Sequence, residues 1–255
     1  MIDLHTHVLP GIDDGPSDLA GSVAVAEVAA HGGVRTLVAT PHLRADHPGV
    51  RPGELAARAR ELSAHLRERR LPVEVLPGAE VDLDAAAALP DAELKLATLG
   101  GNGSDLLLET PYGELPGDFE QRVLAVVARG FRVTLAHPER SDALKADPDR
   151  VGALVDRGVL VQLTARSLGS RPSAAAKLLF ERGWAHVLAS DAHALDRRPP
   201  DLGASVRQAG DAFPHARAEL DWMVTAAPGA IVAGRPLPAR PERQRRGRRL
   251  RLRLP

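Results

Sequence analysis

The opening stretch "MIDLHTHVLPGIDDG" sets His5, His7, Asp13 and Asp14 close together behind an apolar start. Residues two apart on a strand point to the same side, so both imidazoles can face one centre. The same donor types recur at the ends of later apolar runs: His42 in "ATPH", Glu80 in "LPGAE", Glu109 in "LLLET", His137 in "AHPER", and Asp191 with His193 in "ASDAH". A single His or Glu at a strand end has a bland explanation, as a solvated loop residue or a helix N-cap. The series on six strand ends does not. Packing that many carboxylates and imidazoles without cations is costly, because like charges repel and ionised groups resist desolvation. Counting Asp14, the N/O donors exceed what one tetrahedral zinc requires, so two or three divalent ions are expected. Mn, Fe, Zn and Mg all suit this donor set, and ligand type does not choose among them. Arg140 follows His137 by three residues, and Arg197 or Arg198 follows the Asp-x-His. Guanidinium forks beside cations suit a tetrahedral oxyanion such as phosphate, and multi-metal sites commonly hydrolyse phosphate esters. Spacing alone does not choose Asp14 over Asp13, or Arg198 over Arg197.

The elements that must position these groups alternate. Strands are read near residues 2–7, 34–40, 72–81, 105–110, 131–138, 159–165 and 185–193. The sixth of these ends at Gln162 and Thr164, with no ligand type. A helix starts after Ser17 or Asp18 and stops at Gly32-Gly33, and others span 51–70, 118–129, 149–157 and 173–182, the last three followed by Gly130, Gly158 and Gly183. About seven βα units predict an α/β fold, a TIM-like and distorted barrel with its chemistry at the C-terminal ends of the strands. An open doubly wound sheet is the alternative, lowered by the lack of a dinucleotide fingerprint or P-loop. Residues 196–239 hold a helix or two and a Pro/Gly-rich finish.

The 255 residues are 44% hydrophobic and include no cysteine, which excludes disulfides, thiolate zinc sites and every cysteine-nucleophile mechanism. Lys+Arg and Asp+Glu are both 33, yet the segment from Arg240 carries eight Arg against one Glu, so the preceding body is net −7. Domain 1–239 is therefore followed by a basic segment, 240–255, expected to be disordered. No run approaches the roughly 18 apolar residues of a membrane span, and no secretory signal is visible, so a cytoplasmic protein is expected.

On "MIDLHTHVLPGIDDG", "TLVATPH", "VLPGAE", "LLLETP", "LAHPER" and "HVLASDAH", the chain from Met1 to about Ala239 resembles the PHP superfamily, specifically the CpsB/CapC-type bacterial tyrosine-protein phosphatases of capsule and exopolysaccharide systems. The resemblance implies a distorted (β/α)7 barrel with a trinuclear site, usually supported by manganese. It implies metal ligation by His5, His7, Asp14, His42, Glu80, Glu109, His137, Asp191 and His193, and phosphate binding by Arg140 and Arg198. It further implies a phosphotyrosine protein substrate, a bacterial tyrosine kinase that controls polysaccharide chain length. Leu43, Ser141, Thr164 and Ala194 depart from the family pattern at rim positions, which bear on substrate identity rather than on the ligands.

The expected chemistry is in-line attack on phosphorus by a hydroxide that divalent ions generate at neutral pH, with a phenolate leaving. Other readings are a histidinol-phosphate or small-phosphoester phosphatase, a nuclease-like relative, or a binder of nucleic acid or anionic membrane through the arginine tail. The body's negative charge argues against nucleic acid. His31, His65, His186 and His215 are read as structural or solvated, and His47 as a loop residue near His42. Asp3 shares a face with His5 and His7 and is read as supporting them or as a buried acceptor. The sequence is silent on oligomeric state.

Overall fold

A computed structural model describes residues 1–244; positions 245–255, the greater part of the expected tail, lie outside the described residues. Among the described residues nine strands run in chain order: β1 (Ile2–Thr6), β2 (Thr36–Ala39), β3 (His42–Leu43), β4 (Glu74–Pro77), β5 (Glu80–Val81), β6 (Asp105–Glu109), β7 (Arg132–Ala136), β8 (Leu160–Thr164) and β9 (Val187–Ala189). They form two parallel sheets, β1-β2-β4 and β3-β5-β6-β7-β8-β9. Typical registers are Leu37 opposite Val75 and Leu107 opposite Thr134. The strand that ends the second sheet also reaches back to β1: the His7 N–H donates to the Ala192 carbonyl at 2.7 Å and the Asp191 N–H to the His5 carbonyl at 3.0 Å. Every residue of β6 and β8 is buried. This is what parallel strands covered by helices on one side and by a packed interior on the other require.

The run read as one strand over 72–81 is two, and the structure supplies the reason. A Cβ on Gly78, between β4 and β5, would lie 3.1 Å from Val38 Cγ1 and 3.3 Å from the Ala39 carbonyl oxygen. A side chain there would have to push its neighbours aside, and glycine avoids that at the point where the strand breaks. On the neighbouring strand, Pro41 separates β2 from β3 and has no N–H to continue a ladder. The two breaks lie side by side, so both strands step together and deliver His42 opposite Glu80 in register.

The first helix, Leu19–His31, begins at Asp18, whose Oδ1 accepts the Gly21 N–H at 2.8 Å. Helices Phe119–Ala128, Asp149–Val155 and Ala174–Glu181 each end before a glycine of positive φ, where a side chain would be strained. Short helices at Leu83–Ala88, Asp91–Leu96 and Asp142–Ala146 escaped the sequence reading, being too brief to show a periodic stripe. Helices Leu202–Ala212, Arg217–Val224 and Ala226–Val232 follow β9. Among the described residues no helix is long and apolar enough to cross a membrane.

The expectation of disorder from Arg240 onward is corrected for residues 240–244. The Arg240 guanidinium donates to the Gly183 and Ala185 carbonyls, and Arg243 pairs with the buried Glu219. Basic composition suggested solvation, but these guanidiniums find a buried carboxylate and backbone carbonyls in the segment after helix Ala174–Glu181.

Candidate metal centre

The strand ends bring all nine predicted donors to one place. His7, Asp14, His42 and His193 form one group in which donor atoms lie within 4.8 Å of one another; His5, Glu80 and His137 form a second, His5, His7 and Asp191 a third, and His42, Glu80 and Glu109 a fourth. Among the described residues no other His, Asp or Glu side chains form such a group. Two of the nine residues leave their strands in a backbone conformation that non-glycine residues seldom adopt, His137 at φ 35° and Asp191 at φ 53°. Such positions cost of order 1–3 kcal/mol and are retained where the aim of a side chain matters.

The imidazoles are braced from behind. The His7 Nδ1 bonds Asp13 Oδ2 at 2.7 Å and the His5 Nδ1 bonds Gln162 Oε1 at 3.0 Å. Both partners are acceptors, so the proton sits on Nδ1 and each Nε2 is turned inward, where the two approach to 3.2 Å. Around them, Glu80 Oε2 lies 3.3 Å from His5 Nε2, 3.5 Å from His7 Nε2 and 3.1 Å from His42 Nδ1. Asp191 Oδ1 lies 3.4 Å from both His5 Nε2 and His7 Nε2. These two carboxylate oxygens are buried and have no hydrogen-bond partner, as is also true of Asp14 Oδ1 and His42 Nδ1. Buried polar atoms are normally satisfied, and donors this crowded yet unbonded to one another fit divalent cations. The donor set therefore passes the test of fit for metal.

Electrostatics say the same. Burial opposes the charge on Glu80, but His5 and His137 outweigh it and hold its carboxyl well below the usual range. Burial likewise opposes ionisation of Asp191, and His5 and His7 reverse it. Burial depresses His7, yet Asp13, Asp191 and Glu80 hold it well above the ordinary imidazole value. At His42 burial is overcome by Glu109 and Glu80, which push it up to about 9. The carboxylates thus demand positive charge, and protons supply it on imidazoles that a metal would require neutral.

The structure separates the residues that spacing left paired. Asp14 Oδ1 faces inward, 3.2 Å from His193 Nε2 and 3.6 Å from His42 Nε2, while Asp13 supports His7 and accepts the His42 N–H at 3.1 Å. Arg198 Nη1 reaches Asp191 Oδ2 at 3.1 Å, and Arg140 Nη1 binds the same oxygen; Arg197 turns away to the Asp14 carbonyl. Asp3 is a buried acceptor for the Ser190 N–H, and burial pushes its carboxyl up to about 6. The His47 ring stacks on His42 with centroids 5.4 Å apart. Leu43, Ser141 and Thr164, expected at the rim, are instead buried.

Three contributors were not legible as site residues. Gln162 stood out only as the strand end without a ligand. Arg44, whose Nη1 donates to Glu109 Oε1 at 3.0 Å, has no signal beyond following "TPHL". Tyr112, whose hydroxyl meets Arg140, is the one tyrosine in the chain.

Comparison with known proteins agrees with this geometry. A family model described as "Capsular polysaccharide synthesis, CpsB/CapC" matches residues 1–219. Tyrosine-protein phosphatase YwqE of Bacillus subtilis (strain 168) is 34% identical over 205 residues, covering 78% of this chain and 79% of the relative. Tyrosine-protein phosphatase CpsB of Streptococcus pneumoniae is 30% identical over 218 residues, covering 78% and 86% respectively. One solved chain, from crystal structures described as those of YwqE from B. subtilis and CpsB from S. pneumoniae, unique metal-dependent tyrosine phosphatases, aligns with a TM-score of 0.80 at 28% identity, covering 96% of this chain and 98% of that one. With a family match over most of its length and a relative at 34% identity, this chain belongs to the CpsB/CapC family of capsular polysaccharide synthesis.

Proposed function

We propose that this protein is a metal-dependent protein-tyrosine phosphatase whose substrate is a phosphotyrosine protein, a bacterial tyrosine kinase of capsule or exopolysaccharide synthesis. The observation that carries the reading is the convergence of His5, His7, Asp14, His42, Glu80, Glu109, His137, Asp191 and His193 beside Arg140 and Arg198. Relatives named as tyrosine-protein phosphatases support the substrate class. The chain has no cysteine, so the thiolate route to phosphotyrosine is closed to it.

The nine side chains would hold two or three divalent ions, of which manganese is the first choice and Fe, Zn and Mg the others. Bound there, such ions lower the pKa of water toward about 7 and offset the charge of a phosphate ester. The chain's own residues do the rest. Asp13 and Gln162 fix the tautomer of His7 and His5, so each Nε2 points into the centre. Arg140 and Arg198 converge on the outer oxygen of Asp191 and present N–H donors at the mouth, where a phosphate's non-bridging oxygens enter. A phenol's pKa near 10 makes phenolate a better leaving group than an alkoxide, which favours phosphotyrosine over phosphoserine.

The same proposal takes the seven strand positions, with the hydrogen bonds from β9 back to β1, as a distorted (β/α)7 barrel of the PHP type carrying its site at the strand C-termini. Residues 1–239 form the phosphatase domain and 240–255 an appended basic segment, suited to weak contact with an anionic membrane surface. Nucleic acid is not an expected partner, and the cytoplasm is the expected location.

The test is elemental analysis together with turnover of p-nitrophenyl phosphate, with and without added Mn, for wild type and His42→Ala. Metal-dependent turnover that the variant loses is expected. A wild type that binds no metal ends the proposal, as does one that prefers histidinol phosphate or an oligonucleotide over a phosphotyrosine peptide.

A further inference from the structure

The loop leaving β6 carries Tyr112 three residues beyond Glu109. Its ring lies nearly parallel to that of His137, with centroids 5.3 Å apart and an interplanar angle of 18°. Its hydroxyl oxygen accepts the Arg140 Nη1–H at 3.1 Å, from the guanidinium that also holds Asp191. Tied at both ends, the residue nevertheless remains 40% exposed, which is unusual here for a large apolar side chain. Beside it opens a cavity of about 240 Å³ whose lining combines Leu83, Pro111, Tyr112 and Pro116 with charged side chains, Arg44 and Glu109 among them. Glu109 borders both the cavity and the metal-type cluster, so the two are adjacent.

The ester group of a phosphomonoester must leave the centre toward the mouth. If its phosphate lies at Arg140, the first atoms beyond the ester oxygen lie beside the residue Arg140 already touches, Tyr112. An aromatic ring there gains offset or edge contacts with the tyrosine ring that an alkyl chain does not. We propose that Tyr112 is a specificity-determining residue: its exposed ring, with Pro111 and Pro116, receives the phenyl group of an aryl phosphomonoester whose phosphate is held at Arg140, and so selects aryl over alkyl esters. This rests on the phosphatase reading above and adds to it the source of the selectivity. The hydroxyl makes a separable contribution. Its oxygen is taken by Arg140 and its proton is left to donate to a phosphate oxygen.

The experiment compares metal-loaded wild type, Tyr112→Phe, Tyr112→Leu and Tyr112→Ala on phenyl phosphate and glycerol phosphate, and measures by calorimetry their affinities for phenylphosphonate and methylphosphonate. Metal content is determined in each. Tyr112→Ala and Tyr112→Leu are expected to lower kcat/KM for the aryl ester about tenfold more than for the alkyl ester, with the phosphonate affinities shifting in the same ratio and bound metal retained. Tyr112→Phe keeps the aryl preference and weakens both phosphonates alike. An aryl-to-alkyl ratio unchanged in the Leu and Ala variants overturns the assignment. Failure of the wild type to turn over either ester defeats the phosphatase reading instead, and the phosphonate ratio still decides the role of Tyr112.

Discussion

Two buried glutamates of this molecule are equally hidden from water and differently answered. Glu219, on helix Arg217–Val224, has a side chain 2% exposed, and Arg243 meets both of its oxygens through Nε and Nη2 while Arg240 stands at 3.5 Å. The two guanidiniums also lie over aromatic rings, Arg243 over Phe180 and Arg240 over Trp222. The Glu80 side chain is 0% exposed; its Oε1 bonds His137 Nε2 at 2.8 Å, but its Oε2 meets three imidazole nitrogens at 3.1–3.5 Å without a hydrogen bond to any. Arginine carries its charge permanently and presents N–H groups shaped to a carboxylate, so the Glu219 cluster is complete in itself. Imidazole offers lone pairs, and lone pairs set around a carboxylate are complete only with a cation. Burial alone therefore does not distinguish a structural carboxylate from one whose surroundings fit a cation; the partner's chemistry does.

That contrast can be broken by exchanging its terms. Glu80→Ala is expected to abolish metal binding at one position and lower turnover by at least about 10³-fold. A variant that keeps both metal and turnover would remove Glu80 from the centre. Glu219→Ala should do the reverse, destabilising by about 1–3 kcal/mol by removing the carboxylate that the half-buried Arg243 and Arg240 meet, and lowering Tm by roughly 2–10 °C with metal content intact. Thermal melts beside elemental analysis check both halves.

The comparison sharpens one layer out. Asp13→Ala or Gln162→Leu removes the acceptor that orients His7 or His5, and metal affinity measured against a competing chelator should fall about 10–100-fold without loss of fold. An unchanged affinity would make these contacts incidental.

The smallest effect concerns a histidine outside the centre. His186 accepts the Val161 N–H at 3.1 Å, and burial, aided by Arg240, lowers it to about 4. Its folded pKa lies below the unfolded value of 6.5, so the fold favours the neutral ring. The stabilisation is present above pH 6.5 and is lost as pH falls toward 4, amounting to about 1–2 kcal/mol between pH 7 and 5. Denaturant titrations of His186→Asn should show a flatter dependence over that interval.

Much of this was legible from residues in order. The alternating apolar runs announced the parallel strands, and Gly130, Gly158 and Gly183 marked helix ends because only glycine takes positive φ cheaply there. Histidines and carboxylates at successive strand ends announced a convergent donor cluster, because residues at the same end of neighbouring parallel strands meet. The break at Gly78 was not legible, since it depends on how near Val38 and Ala39 pass. Nor was the docking of Arg240 and Arg243, whose partners lie on elements remote in sequence.

The sequence by itself determined which chemical groups are present and roughly which end of each strand bears them, because side-chain chemistry and the two-residue period of a strand are local. Tertiary structure decided the aim: that Asp14 faces inward while Asp13 supports His7, that Arg198 and not Arg197 turns to Asp191, and that Gln162 and Tyr112 complete the surroundings. Neighbours in sequence share their spacing to every motif, so only the paths of distant strands meeting at one end of the sheet can tell them apart.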